Sequence, residues 1–137
     1  MTDRLVFAGP ASEDFGNALA KRLSLPLLSV TVKEFSDSET RFKIDEEVHG
    51  TRILLVQSTY PPVDRNYMQL FLAAHHLSQE GAKVHAVIPY LGYARQDKQF
   101  VAGEVAKLVL YGDNALLEPN RGDAVAVAVR GSPCDPL

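Results

Sequence analysis

Two short apolar runs with one amphipathic helix pattern between them constrain the fold most strongly. The first run, Ile53-Leu-Leu-Val56, is continuously apolar, which is typical of a parallel strand covered on both faces. The second run, Val84-His-Ala-Val-Ile88, also favours a strand. Between them, apolar side chains recur at helical spacing over residues 67–77 and stop near Gly81. The order strand, helix, strand predicts a parallel β-α-β unit.

The preceding segments extend the same alternation. Leu5-Val-Phe-Ala-Gly9 predicts a short buried strand, and a helix pattern follows it with Ser12 placed to cap that helix. Two segments of alternating polarity, Ser29–Phe35 and Thr40–Asp45, predict further strands. We therefore predict an α/β fold, with an open, mainly parallel sheet flanked by helices.

Composition narrows the class of protein. A chain of 137 residues is one domain with room for a sizeable core, and its 46% hydrophobic and 23% charged residues are ordinary for a globular protein. The net charge of -3 disfavours a non-specific nucleic-acid binder. No apolar run reaches the ~18 residues of a membrane span, and no signal peptide pattern opens the chain. We expect a cytoplasmic protein with neither membrane nor nucleic acid as a partner.

The cysteine and the histidines predict neither a disulfide nor a metal site. Cys134 is the only cysteine, which favours a reducing compartment, and its place in the last few residues indicates a spare thiol. His75 and His76 are adjacent in a predicted helix and cannot both face one ion. His49 and His85 stand alone in the sequence. We therefore expect no metal to be bound by the protein's own side chains.

The pattern changes after Glu104. Residues 105–110 are compatible with two helical turns, and Ala124–Val129 with one strand or with an uninformative apolar run. Turn-forming residues crowd the remainder. We therefore predict a first domain over residues 1–111 and a divergent C-terminal segment over residues 112–137, which we expect to be the least ordered part of the chain.

The loop from Tyr90 to Lys98 is dense in side chains that bind nucleotides. It leaves the carboxyl end of a predicted strand, which is where open α/β sheets bind ligands. Arg95 offers a planar, forked donor to phosphate. Gln96 is suited to a base edge or a phosphate, and Asp97 to orienting Arg95 or to binding a metal through water. The alternative interpretation is a solvated polar loop.

A second candidate group, Phe35-Ser-Asp-Ser-Glu39, ends a predicted strand. Phe35 offers a face on which a base can stack, and the carboxylates of Asp37 and Glu39 can accept from an exocyclic amine or from ribose hydroxyls. The alternative is an acidic turn whose aspartate bonds its own backbone. Gln57-Ser-Thr59, at the end of the central strand, either lines the same crevice or caps a helix.

These motifs, in this order, resemble the N-terminal half of ribose-phosphate pyrophosphokinase. The resemblance runs from Leu5 to about Glu104 and rests on four pieces: Phe7-Ala-Gly9, Phe35-Ser-Asp-Ser-Glu39, Gln57-Ser-Thr59 and Ile88-Pro-Tyr-Leu-Gly-Tyr-Ala-Arg-Gln-Asp-Lys-Gln-Phe100. It implies a domain like those of phosphoribosyltransferases. It also implies an activity of nucleotide biosynthesis, the transfer of the diphosphoryl group of ATP to ribose 5-phosphate with magnesium.

The resemblance further implies which residues bind ATP. One loop is expected to hold adenine and phosphate, and the other to reach ATP that is held mainly by a neighbouring subunit, so an oligomer is implied. The implied binding residues, three from each loop, are Phe35, Asp37, Glu39, Arg95, Gln96 and Asp97.

Three parts of the family's machinery have no match in the sequence. There is no Asp-Asp-x-x-x-Thr-Gly segment for ribose 5-phosphate, no Lys-Arg flexible loop for the transferring phosphoryl group, and no histidine after His85. We therefore expect the chain alone to be inactive, as a truncated or frame-shifted product or as a short specialised relative. The alternatives are a nucleotide-binding or regulatory subunit that partners a complete synthetase, and an unrelated flavodoxin-like domain.

Overall fold

Four parallel strands form the central sheet in a computed structural model that describes residues 3–92, residue 102 and the backbone of residues 125–128. In chain order the elements are β1 (Arg4–Ala8), α1 (Glu13–Leu23), β2 (Val30–Glu34), β3 (Thr40–Ile44), β4 (Arg52–Val56), α2 (Val63–Gln79), β5 (Lys83–Ile88) and β6 (Val125–Ala128). The strand order is β1-β4-β5-β6, and each neighbouring pair is parallel. The predicted mainly parallel sheet with flanking helices is confirmed.

The central strand β4 is continuously apolar because a core covers each face of the sheet. Ile53 and Leu55 lie in the larger core, together with Leu77 of α2. Val56 points to the opposite face, where it packs with Ala20 of α1. All three strand residues are at most 1% exposed, and burying a side chain of this size stabilises a fold by about 1.5–3 kcal/mol.

The strands β2 and β3 pair with each other in a separate antiparallel hairpin. Both strands were predicted, but not this second sheet. Its inner face packs on the larger core through Val30, Phe42 and Ile44. The Phe42 ring meets the ring of Phe7 in β1 edge to face, with centroids 5.8 Å apart. One half-buried face explains the alternating polarity of β3, whereas in β2 Val30 is partly covered and Val32 remains exposed.

The predicted side-chain cap on α1 is wrong. Ser12 does occupy the residue before the helix, but its hydroxyl makes no capping bond. It accepts instead the backbone N–H of Ser58, at 2.8 Å. This bond ties the start of α1 to the segment that follows β4.

Several predictions fall on residues that the structure does not describe, among them the helical turns at 105–110 and the thiol of Cys134. The backbone of β6 agrees with the strand predicted over Ala124–Val129, and it pairs with β5 from His85 to Ile88. The domain boundary near residue 111 and the low order of residues 112–137 stay predictions. Neither of the two described α-helices combines the length and the hydropathy that a membrane span requires.

Candidate functional site

The residues Phe35 to Glu39 form a tight turn that closes the hairpin. The Phe35 N–H donates to the Glu39 carbonyl oxygen at 2.8 Å, and the Ser38 N–H donates to the Phe35 carbonyl oxygen at 2.9 Å. Ser38 has a φ of 72°, in the left-handed region that tight turns use. The Glu39 N–H donates to Asp37 Oδ1 at 3.1 Å. One oxygen of Asp37 therefore bonds the backbone of its own turn, as the alternative interpretation expected.

The side chains of this turn are presented to solvent. The Phe35 ring is 39% exposed, and Lys33 Nζ lies 4.9 Å from its centroid, within the range of a cation–π contact. Asp37 and Glu39 are also exposed. The turn, together with Lys33 of β2, thus combines a partly exposed aromatic ring, one cation and two carboxylates, a set that suits the parts of a nucleotide.

Gln57, immediately after β4, is buried and fully engaged by the protein. Its Oε1 accepts the N–H of Ala11 at 3.1 Å, in the loop after β1. Its Nε2 donates to Gln69 Oε1 at 3.1 Å and to the Asn66 carbonyl oxygen at 3.4 Å. With 1% of its surface exposed, Gln57 joins three segments of the chain rather than lining a crevice.

Thr59 holds the beginning of the Tyr90–Lys98 loop. Its hydroxyl donates to the Tyr90 carbonyl oxygen at 2.8 Å and accepts the Gly92 N–H at 2.7 Å. The Tyr67 hydroxyl donates to the Gly92 carbonyl oxygen at 2.7 Å. Because these groups are buried or partly buried, they fix the direction in which the chain leaves β5.

A third set of contacts joins the turn end of the hairpin to α2. Gln69 Nε2 donates to Thr40 Oγ1 at 3.0 Å, and Thr40 is the residue directly after the turn. Arg65 in α2 lies 3.7 Å from the carboxylate of Glu34, the last residue of β2. The tip of the hairpin therefore lies beside the N-terminal part of α2, which follows the carboxyl end of β4.

We call the four residues Gln57, Thr59, Asn66 and Gln69 the polar brace. Each is at most 4% exposed. Asn66 Nδ2 donates to the carbonyl oxygen of Tyr60, whereas Asn66 Oδ1 is buried without a hydrogen-bond partner. The polar brace connects the turn, through Thr40, with the start of the loop, through Tyr90 and Gly92.

The structure describes only half of the predicted binding residues. Phe35, Asp37 and Glu39 lie together on the turn, whereas Arg95, Gln96 and Asp97 lie outside the described residues. Those two groups remain predictions as binding residues. Neither predicted role of Gln57-Ser-Thr59 matches their contacts, because all three are buried against protein groups and α2 begins after Pro62.

Several residues of this region were not predicted from the sequence. Asn66 and Gln69 occupy the buried face of α2, three residues apart, where the pattern calls for apolar side chains. Polar residues on such a face are the signal that could have revealed the brace, since buried amides require partners. Tyr60, 62% exposed, was also not singled out, and its ring lies edge to face on Tyr90 at 5.3 Å.

A separate cavity of about 630 Å³ lies at the other end of the sheet. It opens between the segment before β4 and the C-terminal end of α2, and its lining includes His49, His76 and three glutamates. The two histidines, distant in sequence, thus share one cavity. Among the side chains that the structure describes, no three histidines, cysteines, aspartates or glutamates are grouped to hold a metal ion.

Comparison with known proteins decides the family. Residues 4–110 match the model of the N-terminal domain of ribose phosphate pyrophosphokinase. The chain belongs to this family. A ribose-phosphate pyrophosphokinase of Wolinella succinogenes is 43% identical over 95 residues, and one of a Marinomonas species is 41% identical over 106 residues. The alternative of an unrelated flavodoxin-like domain is therefore excluded.

A solved structure agrees with the sequence match. The crystal structure of phosphoribosylpyrophosphate synthetase from Mycobacterium smegmatis superposes with a TM-score of 0.80 and 28% identity, covering 91% of this chain and 42% of that one. The sequence alignments cover 69% and 77% of this chain, but 31% and 34% of the two relatives. The chain thus spans about a third of the length of these relatives.

Proposed function

We propose that this chain is a nucleotide-binding domain of the ribose-phosphate pyrophosphokinase type. It binds ATP with magnesium at a subunit boundary, between the Tyr90–Lys98 loop of one subunit and the Phe35–Glu39 turn of its neighbour. The observation that carries the proposal is the polar brace, which ties the turn and the start of the loop to the carboxyl end of β4. Ligands of open α/β sheets bind at this edge.

In this proposal the turn contacts the base and the ribose. Phe35 stacks on adenine, a contact typically worth about 1–3 kcal/mol. Asp37 and Glu39 accept hydrogen bonds from the exocyclic amine or from ribose hydroxyls. The bond from the Glu39 N–H uses one oxygen of Asp37. A carboxylate has further acceptor sites, so this local bond is compatible with ligand binding.

The loop contributes the contacts to phosphate. Arg95 forms charge-assisted bonds worth about 1.5–3 kcal/mol. Gln96 contacts base or phosphate, and Asp97 orients Arg95 or binds magnesium through water. Taken with the stacking contact, these energies favour at best roughly millimolar to high-micromolar binding, since about 4 kcal/mol corresponds to a millimolar dissociation constant.

The 137 residues by themselves are proposed not to complete the transfer. Phosphoryl transfer depends on positioning the reactants and neutralising the developing charge. The sequence contains no Asp-Asp-x-x-x-Thr-Gly segment for ribose 5-phosphate and no Lys-Arg flexible loop. The chain is therefore expected to hold nucleotide without producing phosphoribosyl pyrophosphate.

Assembly with other subunits is part of the proposal. The hairpin carries exposed apolar side chains, Val32 at 42% and Phe35 at 39% exposure. Such residues favour contact with another subunit. The partner is a second copy of the chain or, in the alternative function of a nucleotide-binding or regulatory subunit, a complete synthetase. If the chain comigrates with a complete family member and self-associates less in its presence, the alternative function as a partner subunit is favoured.

The test combines calorimetric titration of ATP and magnesium with an assay for phosphoribosyl pyrophosphate. Wild type is expected to bind ATP and to form no product, and Phe35→Ala and Arg95→Ala are expected to weaken binding. Phe15→Ala is the matched control for Phe35, because Phe15 is 46% exposed on α1. Product formation by the purified chain would refute its incompleteness. No binding at millimolar ATP in a folded sample would refute the site.

A further inference from the structure

We infer that Gln69 is a positioning residue, oriented by Gln57, that sets the Phe35–Glu39 turn in its ligand-binding position; the inference rests on the proposed function. Gln69 lies in α2, away from the turn in sequence, and is 4% exposed. Its Nε2 donates to Thr40 Oγ1 at 3.0 Å. Thr40 begins β3 directly after Glu39, so this bond acts on the base of the turn.

The orientation of both amides follows from backbone groups. The Ala11 N–H is a donor only, so the atom of Gln57 that it meets at 3.1 Å is Oε1. The Asn66 carbonyl oxygen is an acceptor only, so Nε2 of Gln57 faces it. That same Nε2 donates to Gln69 Oε1 at 3.1 Å, which leaves the Nε2 of Gln69 to point at Thr40.

Burial makes the hydrogen bonds of Gln57 and Gln69 effective in positioning Thr40. Gln57 is 1% exposed and Gln69 is 4% exposed, so water cannot readily replace a lost partner. A second side-chain link between the turn end of the hairpin and α2, the ion pair of Glu34 and Arg65, spans 3.7 Å between exposed side chains. Exposed pairs of this kind constrain geometry weakly. The buried amides are therefore the polar contact that constrains the turn end of the hairpin, beyond the apolar packing of its strands.

Three variants separate positioning from bulk stability. Gln69→Met keeps the length of the side chain but removes both hydrogen bonds. Gln69→Glu keeps both, because its carboxylate accepts from Gln57 Nε2 and the Thr40 hydroxyl rotates to donate. Gln79→Met makes the same change on the same helix, at an exposed residue outside the proposed site.

Two measurements are made on each variant, the first without ligand and the second with ATP and magnesium. We expect Gln69→Met to shift the amide signals of Ser38 and Glu39 and to increase their hydrogen exchange. We also expect it to weaken ATP binding roughly tenfold, the order of loss when the support of a binding group is removed. Gln69→Glu is expected to restore both properties, and Gln79→Met to change neither.

The outcomes distinguish this inference from the proposed function. Absence of ATP binding by wild type counts against the proposed function. The amide signals of Ser38 and Glu39 without ligand still test whether Gln69 positions the turn. Unchanged Ser38 and Glu39 amides in folded Gln69→Met would overturn the inference. If Gln69→Met does not fold, Thr40→Val is used instead, because it removes the same hydrogen bond at the half-buried Thr40. Unchanged Ser38 and Glu39 amides in Thr40→Val would equally overturn the inference.

Discussion

Single polar residues at the ends of buried strands have two possible roles, and Gln57 illustrates how burial separates them. In the sequence, Gln57 and Thr59 stand where a ligand-binding crevice is expected. In the structure they are at most 1% exposed, and their side chains bond Ala11, Gln69, Tyr90 and Gly92. Their function is thus to hold the segments that carry the site.

Gly9 is expected to tolerate no side chain. A Cβ built there would collide with the side-chain amide of Gln57 and lie 2.7 Å from the carbonyl oxygen of Val56, a backbone atom that cannot turn aside. We predict that Gly9→Ala lowers the free energy of unfolding by about 1–3 kcal/mol, the usual range for overpacking. Urea denaturation measures this loss.

Gly50→Asn is the control for Gly9. Gly50 has a φ of 73° and open space around its Cα, and asparagine tolerates the left-handed region. The control is expected to unfold close to the wild-type urea midpoint. Equal urea midpoints for Gly9→Ala and wild type would contradict the prediction, because the ends of β1 and β4 would then be able to move apart and admit the Cβ.

Asp45 is expected to make stability depend on pH in the acid range. The hydrogen bond from Lys43, at 2.9 Å, and that from the Thr31 hydroxyl, at 2.9 Å, hold the pKa of its carboxyl below the usual value. A lowered pKa in the folded state stabilises above the unfolded-state value of about 3.9. That contribution is lost as the pH falls through the folded pKa.

We therefore predict that Asp45→Asn is less stable than wild type at neutral pH and that the difference disappears in strong acid. Urea midpoints of both proteins between neutral and strongly acidic pH test this. Asp3→Asn, at an exposed acidic residue outside any helix, controls for removing a charge. A gap between Asp45→Asn and wild type that stays constant through the acid range would contradict the stated pKa shift.

At the scale of elements, local patterns predicted the strands and helices, whereas pairing across the chain was beyond them. The period of two in β3 matches a strand that covers one face, and the continuous run of β4 matches burial of both faces, whereas the same alternation in β2 leaves Val32 exposed. Nothing local to β3 indicates that Phe42 will meet Phe7 of β1. The separate hairpin is set by such distant contacts, which a single sequence does not reveal.

We predict that Phe42→Ala loosens the hairpin from the central sheet. The half-buried Phe42 ring packs edge to face on Phe7. Its removal is expected to cost about 2–3 kcal/mol, below the range for a fully buried phenylalanine. Amide exchange should rise in β2 and β3 more than in β4. The control is Phe15→Ala, and uniform exchange changes in all strands would contradict local loosening.

At the scale of the whole molecule, the sequence predicts the two loops proposed to bind nucleotide, but it does not predict the polar brace between them. Phe35, Asp37 and Glu39 are predicted to bind because their chemistry suits a nucleotide, and Arg95, Gln96 and Asp97 for the same reason; these roles stay predictions. Asn66 and Gln69 were missed because helical periodicity marks which positions are buried, not which partners they meet. The brace exists only once β4, α2 and the hairpin are folded together.

The final prediction concerns association. The family resemblance implies that the turn and the loop of one binding site come from different subunits, and the partly exposed Phe35 is suited to such a contact. A ligand bound between subunits favours the associated state, and association raises the affinity for ligand by the same factor. ATP with magnesium is therefore expected to shift the chain to larger species in sedimentation velocity, and the apparent affinity is expected to rise with protein concentration. Phe35→Ala should abolish both effects and Phe15→Ala neither. Unchanged sedimentation at saturating ATP, together with an affinity that does not vary with protein concentration, would contradict a site shared between subunits.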